Sequence, residues 1–305
     1  MKNSARFGFR RLGWLLLLSS CATSATRQVE TTLAENLVSA DQENQIGLQL
    51  KTDLEQNQKV VYMTDPIVVN YVRGVADKVI TFGKKDRPDV SWQVFVIDGT
   101  TVNAFATPGG YLYVYRGLLD LAANEAELAG VMAHETGHVV GRHAARSMVD
   151  AYGLDAVVKL AVGGNPGLVT QLTTGIATKG VLLHHTRADE TEADEYGARY
   201  ASAAGYDPHA LMTLFESLKR TEGNTPALMT YLSDHPATQD RIDHLNAFIT
   251  AQGLGGTNLG ADAYHQMRAH LATLPPSPSA TGAPAAGAAP PAAPAKPAAN
   301  APPVL

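Results

Sequence analysis

The 305-residue chain contains a single cysteine, Cys21, so no internal disulfide can brace it. It has no surplus of basic charge: 24 Lys and Arg against 29 Asp and Glu give a formal net charge of −5. Binding to nucleic acid needs a concentrated basic surface, and past residue 20 no segment gathers Lys and Arg in that way. Past that point the sequence also lacks an apolar run near the ~20 residues that a membrane-spanning helix requires. No repeat of about 20–50 residues recurs, which sets aside solenoids and propellers. Aromatic residues are few, at 7%, yet 45% of the chain is hydrophobic, enough for one large core or two small ones.

What is present is unevenly distributed. Lys2, Arg6, Arg10 and Arg11 precede a short apolar stretch from Leu12 to Leu18, the layout of an export signal over residues 1–20 and too short for a permanent span. Without those four bases the balance is 20 − 29 = −9. Leu18-Ser19-Ser20-Cys21 resembles the bacterial lipobox, in which the signal is cut before a cysteine that is then lipidated. That resemblance implies a lipid anchor on Cys21, a short linker over 21–30 and contact with a membrane surface without spanning it. Ala22 after the cysteine implies, again by resemblance, transfer to the outer membrane. At the other end, the expected tail over residues 271–305 is, from Pro275 onward, nearly all Ala, Pro and Gly, with ten of the seventeen prolines, a composition with no side chains to form a core.

One domain is expected between these ends, over residues 31–270. Ile46, Leu50 and Leu54 recur at helical period within Ser39–Gln58, and Asp65-Pro66 opens a second helix with Val68, Val72, Val75 and Val79 inward. Trp92–Val96 and Tyr111–Tyr115 read as strands, expected to pair antiparallel. From Ala122 onward the pattern is mostly helical. The fold expected is therefore α+β and mainly helical, with a small antiparallel sheet.

The chemistry concentrates in His134-Glu135-Thr136-Gly137-His138. Two histidines four apart on a helix project from one face, a turn apart, the separation at which two imidazoles meet one Zn²⁺. Glu135, one residue beyond the first, can serve as the base for a water activated by the metal. A third ligand six residues past His138 would make the site metzincin-like, but that position is Ala144. His143 is one residue early and, nine positions past His134 on the helix, points to the opposite side, reading as a surface or second-layer residue. The alternative is the acidic run from Thr186 to Asp194, where Glu190 and Asp194 share a helix face. One carboxylate there can bind metal while the other orients a ligating imidazole. His184 and His185, adjacent and about 100° apart if helical, read as bystanders. Ser147–His185, rich in small residues, reads as a cover over a cleft.

Together, Asn103–Gly110 with Gly117-Leu118-Leu119, the His134–His138 helix, and Thr186-Arg187 through Glu190 with Ala193-Asp194 resemble the M48 family of zinc metallopeptidases, specifically its soluble exported, BepA-like branch. The resemblance implies a gluzincin fold with the sheet beside the active-site helix. His134, His138 and Glu190 would be ligands of one Zn²⁺, Glu135 the catalytic base, and Asp194 the support of the first histidine. It implies that substrate adds as a strand near Ala106–Tyr113, and that the helical-repeat domain of that branch is replaced here by the Pro/Ala tail. Ser233-Asp234-His235-Pro236, with Arg241 beyond it, resembles a segment in which a histidine caps the zinc. His235 becomes a candidate regulatory fourth ligand, and Arg241 a candidate regulatory or substrate contact. The expected activity is endopeptidase action on unfolded or misassembled envelope proteins, with outer-membrane assembly machinery as a possible partner. The alternatives are an assembly factor whose zinc site is latent, or a zinc hydrolase of a non-peptide bond.

Overall fold

The computed structural model describes residues 38–179, 182, 184–221, 231, 235–236 and 238–277. The expected signal, Cys21, the linker over 21–30 and the tail from residue 278 lie outside the described residues.

Local signals in the sequence set most helix boundaries. Helix α1 (Ala40–Gln56) starts at a capping box between Ser39 and Gln42, and buries Ile46, Leu50 and Leu54. Helix α2 (Pro66–Asp86) starts at the expected proline, with the Asp65 carboxylate accepting from the amides of Ile67 and Val68. Three strands follow: β1 (Gln93–Ile97), β2 (Ala104–Thr107) and β3 (Tyr111–Tyr115). A short helix α3 (Arg116–Leu121) leads into α4 (Glu125–Val140), whose N-cap Asn124 accepts from the Glu127 amide. Then come α5 (His143–Tyr152), α6 (Leu154–Ala161), α7 (Pro166–Lys179) and α8 (Arg187–Ala203). The described residues end with α9 (Ala210–Thr221), α10 (Gln239–Gln252) and α11 (Ala261–Leu271).

The sheet corrects one expectation. Its order is β1-β3-β2, and β1 pairs with β3 in parallel, Val94 beside Leu112 and Phe95 beside Tyr113. The antiparallel partner of β3 is β2, with Phe105 opposite Tyr113. Ala104–Thr107 is a strand that composition did not reveal, since two of its four residues are alanine. It folds back on β3 through Gly109 and Gly110, both at φ 81°, a conformation that glycine adopts without strain. Once β2 holds that edge, β1 is left the opposite edge and the parallel direction.

Helix α4 runs through the middle of the molecule, and all its residues from Glu125 to Val139 are buried. Its apolar side chains join those of α2, the sheet, α8, α9 and α11 in the main core. A second cluster joins α1 to α5, α6 and α7 through Ile46, Leu50, Met148, Val157, Leu160 and Leu172. A third lies against the aromatic face of the sheet, where Ile176 from α7 joins Phe105, Tyr111, Tyr113 and Tyr115. Arg116 donates to the carbonyls of Leu271, Leu274 and Pro275, so packing continues past the expected boundary at 270. Among the described residues no helix is long and apolar enough to cross a membrane.

Candidate metal centre

The two helices that carry the candidate ligands, α4 and α8, cross at glycine. A Cβ on Gly137 of α4 would stand 2.8 Å from the Ala193 carbonyl oxygen of α8, and one on Gly197 of α8 would stand 3.1 Å from the His134 amide. Bare backbone at both positions lets the helices approach closely enough for side chains from each to share one point. Within its own helix Gly137 has no evident need to be glycine; this crossing is the reason.

At that point His134, His138, Glu190 and His235 gather, all buried, their donor atoms within 4.8 Å of one another. His134 Nε2 lies 3.0 Å from His138 Nε2 and 3.6 Å from Glu190 Oε2. His138 Nε2 is 3.4 Å from Glu190 Oε1. His235 Nδ1 is 3.2 Å from His134 Nε2 and 3.2 Å from Glu190 Oε2. Bonds of about 2.0–2.1 Å to a central Zn²⁺ would set tetrahedral edges of about 3.3 Å, which these separations match.

The outer hydrogen bonds decide which atoms face inward. Asp194 Oδ1 lies 2.9 Å from His134 Nδ1, and a carboxylate only accepts, so the proton is on Nδ1 and the Nε2 lone pair points into the cluster. Asp194 is itself clamped by Arg241, whose Nε and Nη2 each lie 2.8 Å from one of its oxygens. Unshared lone pairs of two imidazoles and a carboxylate therefore converge at contact distance. That arrangement is repulsive without a cation, and the donor set of nitrogen and carboxylate oxygen suits zinc.

The titration tendencies reflect the same crowding of buried groups. Burial pushes His134 down, but the hydrogen bonds to Asp194 and Glu190 outweigh it and raise the group to about 9. Burial drives His138 well below the ordinary histidine range, with His185 adding to the effect. Glu190 is held well below the carboxylate range despite its burial, chiefly by His235 and the two ligand histidines. Glu135 moves the other way: burial raises it, against the pull of His235 and His134. Its Oε1 lies 3.5 Å from His235 Nε2.

Three residues stand differently from the sequence reading. Helix α4 ends at Val140, and Arg142 takes a left-handed backbone (φ 56°) that starts α5 in a new direction. The angular extrapolation for His143 fails there; the ring is fully buried, with Nδ1 2.7 Å from His138 Nδ1. His185 precedes the N-cap Thr186, so helical angles do not apply, and its ring stacks on His138 at 4.1 Å between centroids. His184 is exposed. Arg241 is buried beneath the cluster, bonded to Asp194, Glu190 and the Pro236 carbonyl, not presented to a substrate. Ser233 and Asp234 lie outside the described residues.

Residues 66–249 match the model of peptidase family M48. Mitochondrial metalloendopeptidase OMA1 of Schizosaccharomyces pombe is 34% identical over 197 residues, which cover 64% of this chain and 57% of the relative. Beta-barrel assembly-enhancing protease of Escherichia coli K12 is 26% identical over 220 residues, 69% of this chain and 44% of the relative. Metalloprotease LoiP of the same organism is 33% identical over 168 residues, 54% of this chain and 65% of the relative. The matched region thus spans less than two thirds of each of these relatives. The family match takes in more than half of the sequence and both ligand helices, and the chain belongs to peptidase family M48, a metalloprotease family that uses zinc.

Proposed function

We propose that this chain is a zinc endopeptidase of the bacterial cell envelope, acting on unfolded or misassembled envelope proteins and held latent by His235. The peptidase reading rests on one arrangement: a buried, unligated carboxylate, Glu135, beside the convergent donors His134, His138 and Glu190. Zinc bound there would polarise the scissile carbonyl and acidify the attacking water. The chain's own part is proton handling. Glu135 accepts the proton of the nucleophile and returns it to the leaving amine, a role suited by a carboxyl that burial raises. Asp194 keeps His134 in one tautomer, and Arg241 keeps Asp194 ionised.

Latency rests on His235. Its Nδ1 occupies the fourth corner of the donor set, and its Nε2 faces Glu135 at 3.5 Å. In that place it would both exclude water from the metal and occupy the base. Strand β2, at the sheet edge, is also buried along its whole length, so substrate can pair there only after the covering segments move. The envelope location is supported by the export-signal pattern, the Ser20-Cys21 lipobox resemblance and the kinship with a beta-barrel assembly-enhancing protease. Lipid anchoring at Cys21 and an outer-membrane address are part of the same proposal. The closed donor set also favours a second reading, an assembly factor whose zinc site stays latent.

Casein degradation by the full chain at equal zinc content tests this. His235→Ala should raise turnover, and Glu135→Gln in either background should abolish it, by about 10²–10⁴-fold for loss of a general base. A wild type and a His235→Ala variant that both bind one zinc and cut nothing would favour the assembly factor.

A further inference from the structure

One buried histidine at the site is used by neither the catalytic reading nor the latch. His143, the first residue of α5, is fully buried, and its two ring nitrogens face different groups. Nε2 lies 3.3 Å from Glu192 Oε2 and 3.8 Å from Asp189 Oδ1, both on α8. Carboxylates only accept, so the proton of the neutral ring sits on Nε2. That leaves Nδ1 with its lone pair, aimed at His138 Nδ1 from 2.7 Å. His138 must then carry its own proton on Nδ1 and turn the Nε2 lone pair toward His134 and Glu190. The opposite assignment would put a proton on His138 Nε2, inside a cluster of donors 3.0–3.4 Å away.

We infer that His143 is a positioning residue of the metal centre: it accepts the Nδ1 proton of His138 and fixes the tautomer in which His138 can ligate. Asp194 performs this task for His134 as a carboxylate, whereas His138 receives it from an imidazole that α8 orients. The carboxylates that hold His143 are themselves fixed. Asp189 closes the capping box with Thr186, and its other oxygen lies 2.8 Å from Arg146 Nη2, which also reaches Glu192 at 3.3 Å. His143, Asp189 and Glu192 could pass for a second cation site, but the Arg146 guanidinium already supplies the positive charge there. The relay also ties the start of α8, which carries Glu190, to the end of α4, which carries His138.

The inference rests on the zinc reading, so wild-type zinc affinity is measured first, by chelator competition on the folded full chain. Absence of zinc binding would overturn that reading and this inference with it. The decisive comparison uses two amides. In His143→Asn the side-chain oxygen can stand where Nδ1 stands and still accept from His138; in His143→Gln it stands where Nε2 stands and cannot. Zinc affinity should stay within a few-fold of wild type for His143→Asn and fall by about 10–100-fold for His143→Gln and His143→Ala, as for other losses of an orienting partner. The visible spectrum of the Co²⁺-substituted protein should follow the same order. A purely space-filling histidine would give the reverse ranking, because Gln is closer in volume. Gly141→Ala gives an independent check, since a Cβ there would stand 2.3 Å from His143 Nε2 and displace the ring with its chemistry intact. Its backbone, at φ −71°, accepts alanine, so the fold should persist while zinc affinity drops. Wild-type affinity in all four variants would refute the role.

Discussion

The wall formed by α4 and α8 and the pair α6 and α7, part of the segment that the sequence reads as a cover, are built by different means. The wall is made of backbone against backbone, with Gly137 under Ala193 and Gly197 under His134, and it is bound by buried ion pairs. The cover rests on α1 and, through Ile176, on the aromatic face of the sheet. Gln49 donates to the Leu160 carbonyl, and Thr173 bonds to Asp53. Its apolar contacts belong to the two smaller clusters, and Val162 is 75% exposed. Close-packed interiors do not deform continuously, so the wall keeps donor separations within tenths of an ångström. The cover is joined to α1 by a few polar contacts and one modest apolar cluster, and to the sheet through Ile176, so it should open more readily than the wall.

This contrast can be broken at graded cost. Asp194→Ala should do most damage, leaving the Arg241 guanidinium buried without its bidentate partner; about 3–5 kcal/mol is expected from broken buried pairs, read in urea unfolding. A loss below 1 kcal/mol would show that the wall does not depend on that pair. Gly137→Ala comes next, because its methyl must displace main chain; overpacking of about 1–3 kcal/mol should be accompanied by weaker zinc binding. Thr173→Val in the cover should cost only about 1 kcal/mol. Its effect should be local, with amide exchange faster over residues 154–179 and unchanged in α4. Faster exchange in both regions would mean that wall and cover open as one unit.

The difference between the two regions also explains what the sequence disclosed. Asp65-Pro66 announces a helix start through contacts within four residues, and that start is where the structure has it. The His134–His138 spacing and the Glu190–Asp194 face are likewise properties of single helices, so a histidine pair joined by one of two carboxylates was legible, and the family resemblance chose Glu190. What lay hidden depends on chain reversals. The left-handed Arg142 turned His143 inward, the extended residues before Thr186 laid His185 on His138, and strand order made β1 and β3 parallel. None of these is a periodic property of the residues involved. His235 was reachable only through family resemblance, because Tyr231, the nearest described residue before it, and His235 carry no spacing signal of their own.

The most direct measurement is the anomalous scattering of a crystal of the zinc-loaded chain at the zinc edge. A single peak is expected about 2.0–2.2 Å from His134 Nε2, His138 Nε2, a Glu190 oxygen and His235 Nδ1, with Glu135 outside bonding distance. A zinc bound elsewhere, or one that Glu135 ligates in place of Glu190, would contradict the assignment of ligands and base.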